Sequence, residues 1–175
     1  ISREALQHKL NKEEICSEPA PKTAHGLRLT QRCNLQGSKA FRDGFLDIQD
    51  TASQRFCESL DIKPQQTVID YCAGAGGKAL FLASLGAKVF INDPRSNAIK
   101  AAKGRAKRAR ITFLNNPPSV ADFVVVDAPC SGSGRLRREP ALRWRYPLNK
   151  IDFNYPKLQH DILEEASRFV TPKGR

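Results

Sequence analysis

The sequence has no long apolar run and no signal-like beginning, and these two absences exclude several classes of protein. No stretch approaches the roughly 18 consecutive apolar residues that a membrane-spanning helix needs. The first residues, "ISREALQHKLNKEE", are charged and lack the apolar core of a secretion signal. We therefore expect a cytoplasmic protein with no membrane association.

Paired cysteines are also lacking. The chain has five cysteines, an odd number, and no two of them are spaced as C-x-x-C. The sequence thus predicts neither a disulfide framework nor a zinc site, and we expect no metal ion. Most of these thiols are expected to be small, reduced core residues. Cys130 differs, because it follows a proline after an apolar run, in the stretch "VVVDAPCSGSGR" (124–135).

Acidic residues are few beside the basic ones. There are 29 lysines and arginines against 18 aspartates and glutamates, which gives a formal net charge of +11 over 175 residues. This excess favours a polyanionic partner, and nucleic acid comes before an acidic membrane because no basic amphipathic anchor helix is apparent. The alternative is a surface that is merely basic.

Strands and helices alternate regularly from residue 67 onward. The runs that predict strands are, in order, "TVIDYCA", "AKVFIND", "ITFL" and "ADFVVVDA". Helices are predicted over "ALFLASL", about 96–109 and about 156–170. Such alternation is typical of a parallel sheet with right-handed crossovers, so we predict a Rossmann-like α/β domain. The final "TPKGR" predicts a turn into a further strand, so this sheet is expected to be cut short after its fourth strand and the following helix.

The first 43 residues are weakly patterned and predict a small N-terminal module or linker that faces the nucleic acid. The main domain is expected over 44–175. Its first helix lies in "DTASQRFCESLDI", where Thr51 and Gln54 fit a capping box. The residues expected on one face of this helix are Ala52, Phe56, Cys57 and Leu60.

The loop "CAGAGGK" (72–78) follows the first predicted strand of the sheet. In open α/β sheets the ligand lies at the carboxyl ends of the strands, and glycines there let the backbone approach it closely. A phosphate-binding P-loop is excluded, because Cys72 replaces its first glycine and Ala79 its hydroxyl residue. A dinucleotide and S-adenosylmethionine both remain open, and Asp93 after the second strand could bind the ribose of either.

Cys130 lies at the same predicted sheet edge as the glycine loop. A hydride-transfer enzyme has no need of a thiol there, whereas a methyltransferase acting on a pyrimidine ring does. Carbon 5 of cytosine is too electron-poor to attack a methyl sulfonium unaided. A thiolate that adds to carbon 6 makes carbon 5 nucleophilic, and the thiol is eliminated after methyl transfer. The cysteine therefore favours S-adenosylmethionine over a dinucleotide.

Four blocks of sequence resemble the Sun-type family of RNA (cytosine-5)-methyltransferases, and most of all its bacterial small-subunit ribosomal RNA methyltransferase B group. The loop around Cys130 is far more specific than the glycine turn. The four blocks, in family order, are "GFLDIQDTASQ" (44–54), "DYCAGAGGKAL" (70–80), "VDAPCSGSGRLRREP" (126–140) and "LQHDILEEASRFVTPKG" (158–174).

The resemblance implies a class I methyltransferase sheet, S-adenosylmethionine as cofactor, and methylation of carbon 5 of a cytosine in RNA through a cysteine–pyrimidine bond. Asp93 would bind the cofactor ribose. Lys78 and Asp127 would reach between the methionine moiety and the target base, and Cys130 would assist product release. The other residues implied to line the cofactor are Cys72, Ala73, Gly74, Ala75, Gly76 and Gly77.

Two residues of the family pattern are not found in the chain. The nucleophile, a cysteine in a Thr-Cys at the end of the next strand, is expected after Arg175. A third cofactor-binding acid is replaced at about Asn115 or Asn116.

The segment "RLRREPALRWR" (135–145) is expected to contact RNA through Arg135, Arg137 and Arg138, because guanidinium groups and an indole both stack on bases. Ribosomal RNA is the expected substrate and transfer RNA the alternative, with the protein acting as a monomer. Two rival interpretations remain: a methyltransferase-like module that holds RNA without chemistry, and a dinucleotide-dependent oxidoreductase.

Overall fold

The computed structural model of the protein describes residues 1–136, 139–145 and 155–175, with Arg145 described by its backbone alone. The N-terminal part contains α1 (Arg3–Asn11), the strands β1 (Ser17–Pro19) and β2 (Leu27–Leu29), and α2 (Lys39–Arg42). β1 and β2 form an antiparallel hairpin. Leu10, Ile15 and Ala40 form a buried cluster of their own beneath it.

A three-stranded parallel sheet forms the core of the remaining chain. β3 (Thr67–Asp70) lies in the centre, between β4 (Lys88–Ile91) and β5 (Phe123–Val125). Two helices cross over between these strands, α4 (Gly77–Ser84) and α5 (Ser96–Arg108). In register, Val68 faces Val89 on one side and Phe123 on the other. This arrangement confirms the predicted Rossmann-like α/β sheet.

The prediction of a strand at "ITFL", the third of the predicted four, is wrong. Residues 111–114, "ITFL", form no strand, and the sheet of the described residues has three strands where the sequence predicts four. The segment passes the edge of β4 and makes one sheet-like bond, from the Leu114 N–H to the Val89 carbonyl at 2.7 Å. Its Phe113 is buried in the core. The apolar run is therefore explained by packing without a hydrogen-bonded ladder.

The predicted capping box is also wrong. α3 (Thr51–Ser59) is capped by Asp50, whose Oδ1 accepts from the Ala52 N–H at 2.9 Å. An aspartate in extended backbone caps a helix as well as a threonine does, so the helix begins one residue earlier than predicted. The Gln54 side chain donates instead to the Gln49 carbonyl, at 3.2 Å. Of the predicted face, Cys57 is buried, whereas Phe56 is 42% exposed.

The C-terminal part contains α6 (Leu142–Arg145) and α7 (Tyr155–Ser167), followed by a segment that runs along β5. Ala121 and Val170 form a parallel bridge, and the Val124 N–H donates to the Arg175 carbonyl at 2.9 Å. This segment thus lies where the sequence predicts the approach to a further strand. No helix in the described ranges is long and apolar enough to cross a membrane.

Candidate cofactor and catalytic site

The glycine loop after β3 lies at the carboxyl edge of the sheet and leads directly into α4. Gly74 and Gly76 have positive φ values, of 53° and 75°, and Gly76 is the N-terminal cap of the helix. A Cβ on Gly76 would lie 2.7 Å from the Cβ of Ala102 on α5. Glycine is therefore required here both by the backbone conformation and by the close approach of α5.

Asp93 follows β4 and holds the glycine loop from the side. Its Oδ2 accepts from the Gly74 N–H at 2.8 Å. The Arg95 guanidinium donates to both carboxylate oxygens, from Nε and Nη2 at 2.9 Å each. These side-chain bonds lower the pKa of Asp93 to about 2, against the effect of burial. The predicted ribose-binding acid is thus ionised and covered by Arg95, a partner that sequence reasoning missed.

Asp70, the last residue of β3, is a buried carboxylate beneath the same loop. It is 1% exposed, and its Oδ2 accepts from the Ala79 N–H at 3.1 Å. Burial raises its pKa to about 7, while the charge of Lys78 opposes that shift. Sequence reasoning gave Asp70 no role, although an acid at the end of a buried strand could have signalled one.

A pocket of about 250 Å³ opens at this edge of the sheet. Of the predicted cofactor loop, Cys72, Ala73, Gly77 and Lys78 line it, while Gly74, Ala75 and Gly76 form the turn beside them. Burial raises the pKa of the Cys72 thiol, so this cysteine is protonated at neutral pH. The remaining lining residues are Ile48, Gln49, Asp50, Ser53, Asp70, Arg105 and Asp127.

The wall formed by residues 48–53 was not predicted. The sequence placed this segment within a family-like block but assigned none of its side chains to the site. Asp93 lies beside the pocket without lining it, because Arg95 covers its carboxylate. Asn115 and Asn116, the positions of the expected third acid, are both exposed and do not line the pocket.

An ion pair joins two of the three predicted catalytic side chains at the pocket. Lys78, in the first turn of α4, binds Asp127, which follows β5. The Lys78 side chain is 19% exposed and that of Asp127 is 62% exposed, so the pair extends from the pocket to the surface. It links the glycine loop to the loop that carries Cys130.

Cys130 is exposed and lies beyond the pocket, in the loop after β5. The Gln159 Nε2 on α7 donates to the Pro129 carbonyl at 2.8 Å. This bond fixes the peptide that precedes the cysteine. Sequence reasoning missed Gln159, because the contact joins two segments that are far apart in the chain.

The predicted RNA-contacting segment is described only in part. Arg135 is exposed and its Nη2 donates to Glu139 Oε1 at 2.6 Å, whereas Arg137 and Arg138 lie outside the described residues. Trp144 is 83% exposed, and the Arg143 guanidinium lies 5.8 Å from the centroid of its ring. The part of the chain that the structure describes contains no group of three His, Cys, Asp or Glu side chains suited to a metal ion.

A parallel sheet with a glycine loop and acids at its carboxyl edge defines a Rossmann-like domain of the class I methyltransferase type. Comparison with known proteins gives the family. The family model of the 16S rRNA methyltransferase RsmB/F matches residues 57–175. The chain belongs to this family, which confirms the resemblance seen in the sequence.

Curated relatives agree with the family model. The chain is 29% identical to ribosomal RNA small subunit methyltransferase B of Photorhabdus laumondii, over 99% of this chain and 43% of that protein. It is 37% identical to the protein of the same name from Thermus thermophilus, over 74% of this chain and 34% of that one. The chain therefore spans less than half the length of these relatives.

Solved structures share the fold. The crystal structure of PH0851 matches with a TM-score of 0.88 and 31% identity, covering 99% of this chain and 42% of that one. A methyltransferase homolog from Pyrococcus horikoshii matches with a TM-score of 0.80 and 25% identity, over 99% of this chain and 59% of that one. NSun6 from the same organism, solved with SFG, matches with a TM-score of 0.83 at 18% identity, over 99% and 71%, and shows the fold alone.

Proposed function

We propose that this chain forms the cofactor-binding part of an S-adenosylmethionine-dependent methyltransferase acting on carbon 5 of a cytosine in ribosomal RNA. The observation that carries the proposal is the Lys78–Asp127 ion pair, since it joins the glycine-loop pocket to the loop of Cys130. A methyl donor and a target base must meet at one point, and this pair lies between the two predicted subsites. The relatives named as ribosomal RNA small subunit methyltransferase B support the substrate class.

The residues of the pocket fit the proposed cofactor. Among the described residues, Asp70 Oδ1 and Gln49 Nε2 are buried polar atoms at the pocket that have no hydrogen-bond partner. One is an acceptor and the other a donor, which matches the ammonium and carboxylate groups of a methionine moiety. When bound, S-adenosylmethionine supplies an electrophilic methyl group. Asp93 would accept from the ribose hydroxyls once Arg95 moves aside.

The proposed chemistry at the base needs three groups from the protein. A thiolate adds to carbon 6 of the cytosine, and we assign this role to a second cysteine, in a strand that follows Arg175. The Lys78–Asp127 pair would lie near ring N3 and supply the acid that the chemistry needs there. After methyl transfer a base takes the proton from carbon 5, and the electron pair of that bond re-forms the double bond between carbons 5 and 6. The nucleophile then leaves carbon 6 as a thiolate, a release that Cys130 assists.

The basic regions of the chain are assigned to RNA. Segment 135–145 lies directly after the loop of Cys130, and its exposed Trp144 and neighbouring Arg143 offer stacking surfaces for unpaired bases. The N-terminal module, residues 1–43, extends this surface in the proposal. The protein acts as a monomer in the cytoplasm.

The proposed reaction is tested by bisulfite sequencing of ribosomal and transfer RNA from cells with and without the gene. We expect one cytosine of the small-subunit ribosomal RNA to lose its protection from conversion when the gene is absent. Unchanged protection at every cytosine in both RNAs would refute the reaction. A change confined to transfer RNA would refute the substrate alone.

The proposed cofactor is tested by calorimetry with S-adenosylhomocysteine and NAD. We expect Asp93→Ala to weaken binding of S-adenosylhomocysteine by about 1.5–3 kcal/mol, the range for a hydrogen bond to a charged group. Asp61→Ala, which removes an exposed carboxylate outside the pocket, is the matched control. Tighter binding of NAD than of S-adenosylhomocysteine would favour the oxidoreductase instead.

A further inference from the structure

Arg105 on α5 contacts two segments of the site at once. Its Nη1 donates to the Ala75 carbonyl of the glycine loop at 3.0 Å. Its Nε and Nη2 donate to the two carboxylate oxygens of Asp47, also at 3.0 Å each. The Arg105 and Asp47 side chains are only 23% and 18% exposed. A planar guanidinium held by a carboxylate in this two-bond geometry has a fixed orientation, which sets the direction of its third donor.

The carbonyl that Arg105 binds belongs to the turn of the glycine loop. Ala75 lies between Gly74 and Gly76, which both have left-handed backbone. The N–H of the same peptide, that of Gly76, donates to the Ala73 carbonyl at 2.8 Å and closes the turn. The orientation of this peptide therefore sets the direction of the later N–H groups, which a ligand at a helix N-terminus meets. A Cβ on Gly77 would lie 3.6 Å from Arg105 Nη1, so the guanidinium lies directly against the loop.

Asp47 belongs to the segment that connects the N-terminal part to α3, and this segment docks tightly on α5. Arg108 Nη2 also donates to Asp47, at 2.6 Å, and its guanidinium lies 3.9 Å from the Phe41 ring centroid. Gly44 has a φ of 81°, and a Cβ there would lie 2.0 Å from the Arg108 carbonyl. Within the described ranges, Arg108 has no hydrogen bond to the glycine loop and Asp47 does not line the pocket.

We propose that Arg105 is a positioning residue for the cofactor, and that Asp47 acts on the cofactor only through it. The Asp47 carboxylate orients the guanidinium, the guanidinium fixes the Ala75 peptide, and the peptide presents the loop to the ligand. Docking of segment 41–49 and affinity for the cofactor are therefore coupled. This inference rests on the proposed cofactor site and names residues outside the predicted cofactor loop.

Arg105→Lys and Arg108→Lys form a matched pair for the test, because each shortens one of the two arginines that bind Asp47. Calorimetry with S-adenosylhomocysteine on the folded protein should show affinity about fivefold to tenfold weaker for Arg105→Lys, the effect of one lost hydrogen bond. For Arg108→Lys the change should stay within about twofold. Urea unfolding should show similar stability losses for both, which separates positioning from general destabilisation.

Asp47→Asn completes a double-mutant cycle with each lysine variant. Alone it should weaken S-adenosylhomocysteine binding about threefold, and it should have no further effect in the Arg105→Lys background. Equal dissociation constants for the two lysine variants, or additive effects of Asp47→Asn and Arg105→Lys, would overturn the inference while leaving the cofactor assignment intact. A wild-type protein that binds no S-adenosylhomocysteine would overturn the cofactor assignment and this inference together.

Discussion

At the scale of single residues, Asp70 carries the most unusual charge of the site. Its carboxylate is buried, Oδ1 has no partner among the described residues, and burial raises its pKa to about 7. Lys78 opposes this shift, whereas Asp127 and Asp93 add to it. A carboxyl group that is easily protonated at the floor of the pocket is suited to a cationic ligand group, which would restore the charged form.

The raised pKa of Asp70 predicts how stability varies with pH. In the unfolded chain an aspartate has a pKa of about 3.9, so between about pH 4 and 7 the folded protein holds the extra proton. The free energy of unfolding should therefore fall as pH rises through this window and stay at the lower value above it. Asp70→Asn should remove that fall, which urea titrations at several pH values would measure. An identical pH profile for both proteins would contradict the assignment.

An experiment can distinguish a role of Cys130 in product release from a role as the nucleophile. In an enzyme that carries both cysteines, Cys130→Ala should still form the bond to carbon 6 but release it slowly. A protein–RNA adduct should then accumulate and survive a denaturing gel. Cys33→Ala removes another exposed thiol and should leave no adduct behind. A dead Cys130→Ala enzyme without adduct would make Cys130 itself the nucleophile.

At the scale of secondary-structure elements, the close contact between α4 and α5 requires a residue without a side chain at Gly76. Gly76→Ala places a side chain at a φ of 75° and 2.7 Å from the Ala102 Cβ. The strained backbone and the overlap should together destabilise the fold by about 2–4 kcal/mol. Urea unfolding measures this loss, and binding of S-adenosylhomocysteine should weaken as the helix end shifts.

Gly104→Ala provides the opposite control within α5. A Cβ at this position meets no atom within 4 Å, and the residue lies inside a helix. Alanine should therefore stabilise the protein by about 0.5–1 kcal/mol. Changes of the same sign in the free energy of unfolding for Gly76→Ala and Gly104→Ala would contradict the packing described for Gly76.

The elements that could be predicted from the sequence are those whose signal is local. β3, β4, β5 and α4 each combine an apolar run with a nearby glycine or charged boundary, and the structure places these elements and the basic helix α5 close to the predicted residues. The strand predicted at "ITFL" is wrong because a strand needs hydrogen bonds to a partner along its whole length, whereas this segment makes only one such bond to the edge of β4 among those described. The N-cap of α3 was predicted one residue too late because Asp50 and Thr51, which are adjacent, are both residue types favoured at a helix N-cap.

Site residues divide in the same way. The placement of Cys72, Lys78 and Asp127 at one sheet edge could be predicted because the topology brings the ends of these strands together, whereas their roles come from the family resemblance. Gln49, Arg105 and Gln159 could not, because their positions depend on which segments pack against each other. Arg95 covers Asp93 through a contact two residues along the chain, yet nothing in the sequence distinguishes this arginine from its many basic neighbours.

At the scale of the whole molecule, the net charge of +11 predicts salt-dependent binding to RNA. Replacing Arg137 and Arg138 by glutamine should weaken RNA binding and reduce the slope of log affinity against log salt by about 1.5–2. With fewer phosphate contacts, binding of the RNA releases fewer counterions. Lys100→Gln with Lys103→Gln removes the same charge from an exposed face of α5 and should change the slope less. Equal effects of the two pairs would show that only the total charge matters.

The order of the strands in the chain also bears on how the protein folds during synthesis. Asp47, the glycine loop, Asp93 and Arg105 all precede the end of α5 in the chain, so every residue assigned to the cofactor except Asp127 is present once α5 has emerged from the ribosome. β5 and the loop of Cys130 follow, and β5 pairs with a β3 that is already bound to β4. Nascent chains should therefore acquire ligand affinity before they acquire a reactive centre, and the bound ligand would stabilise the sheet to which β5 is added.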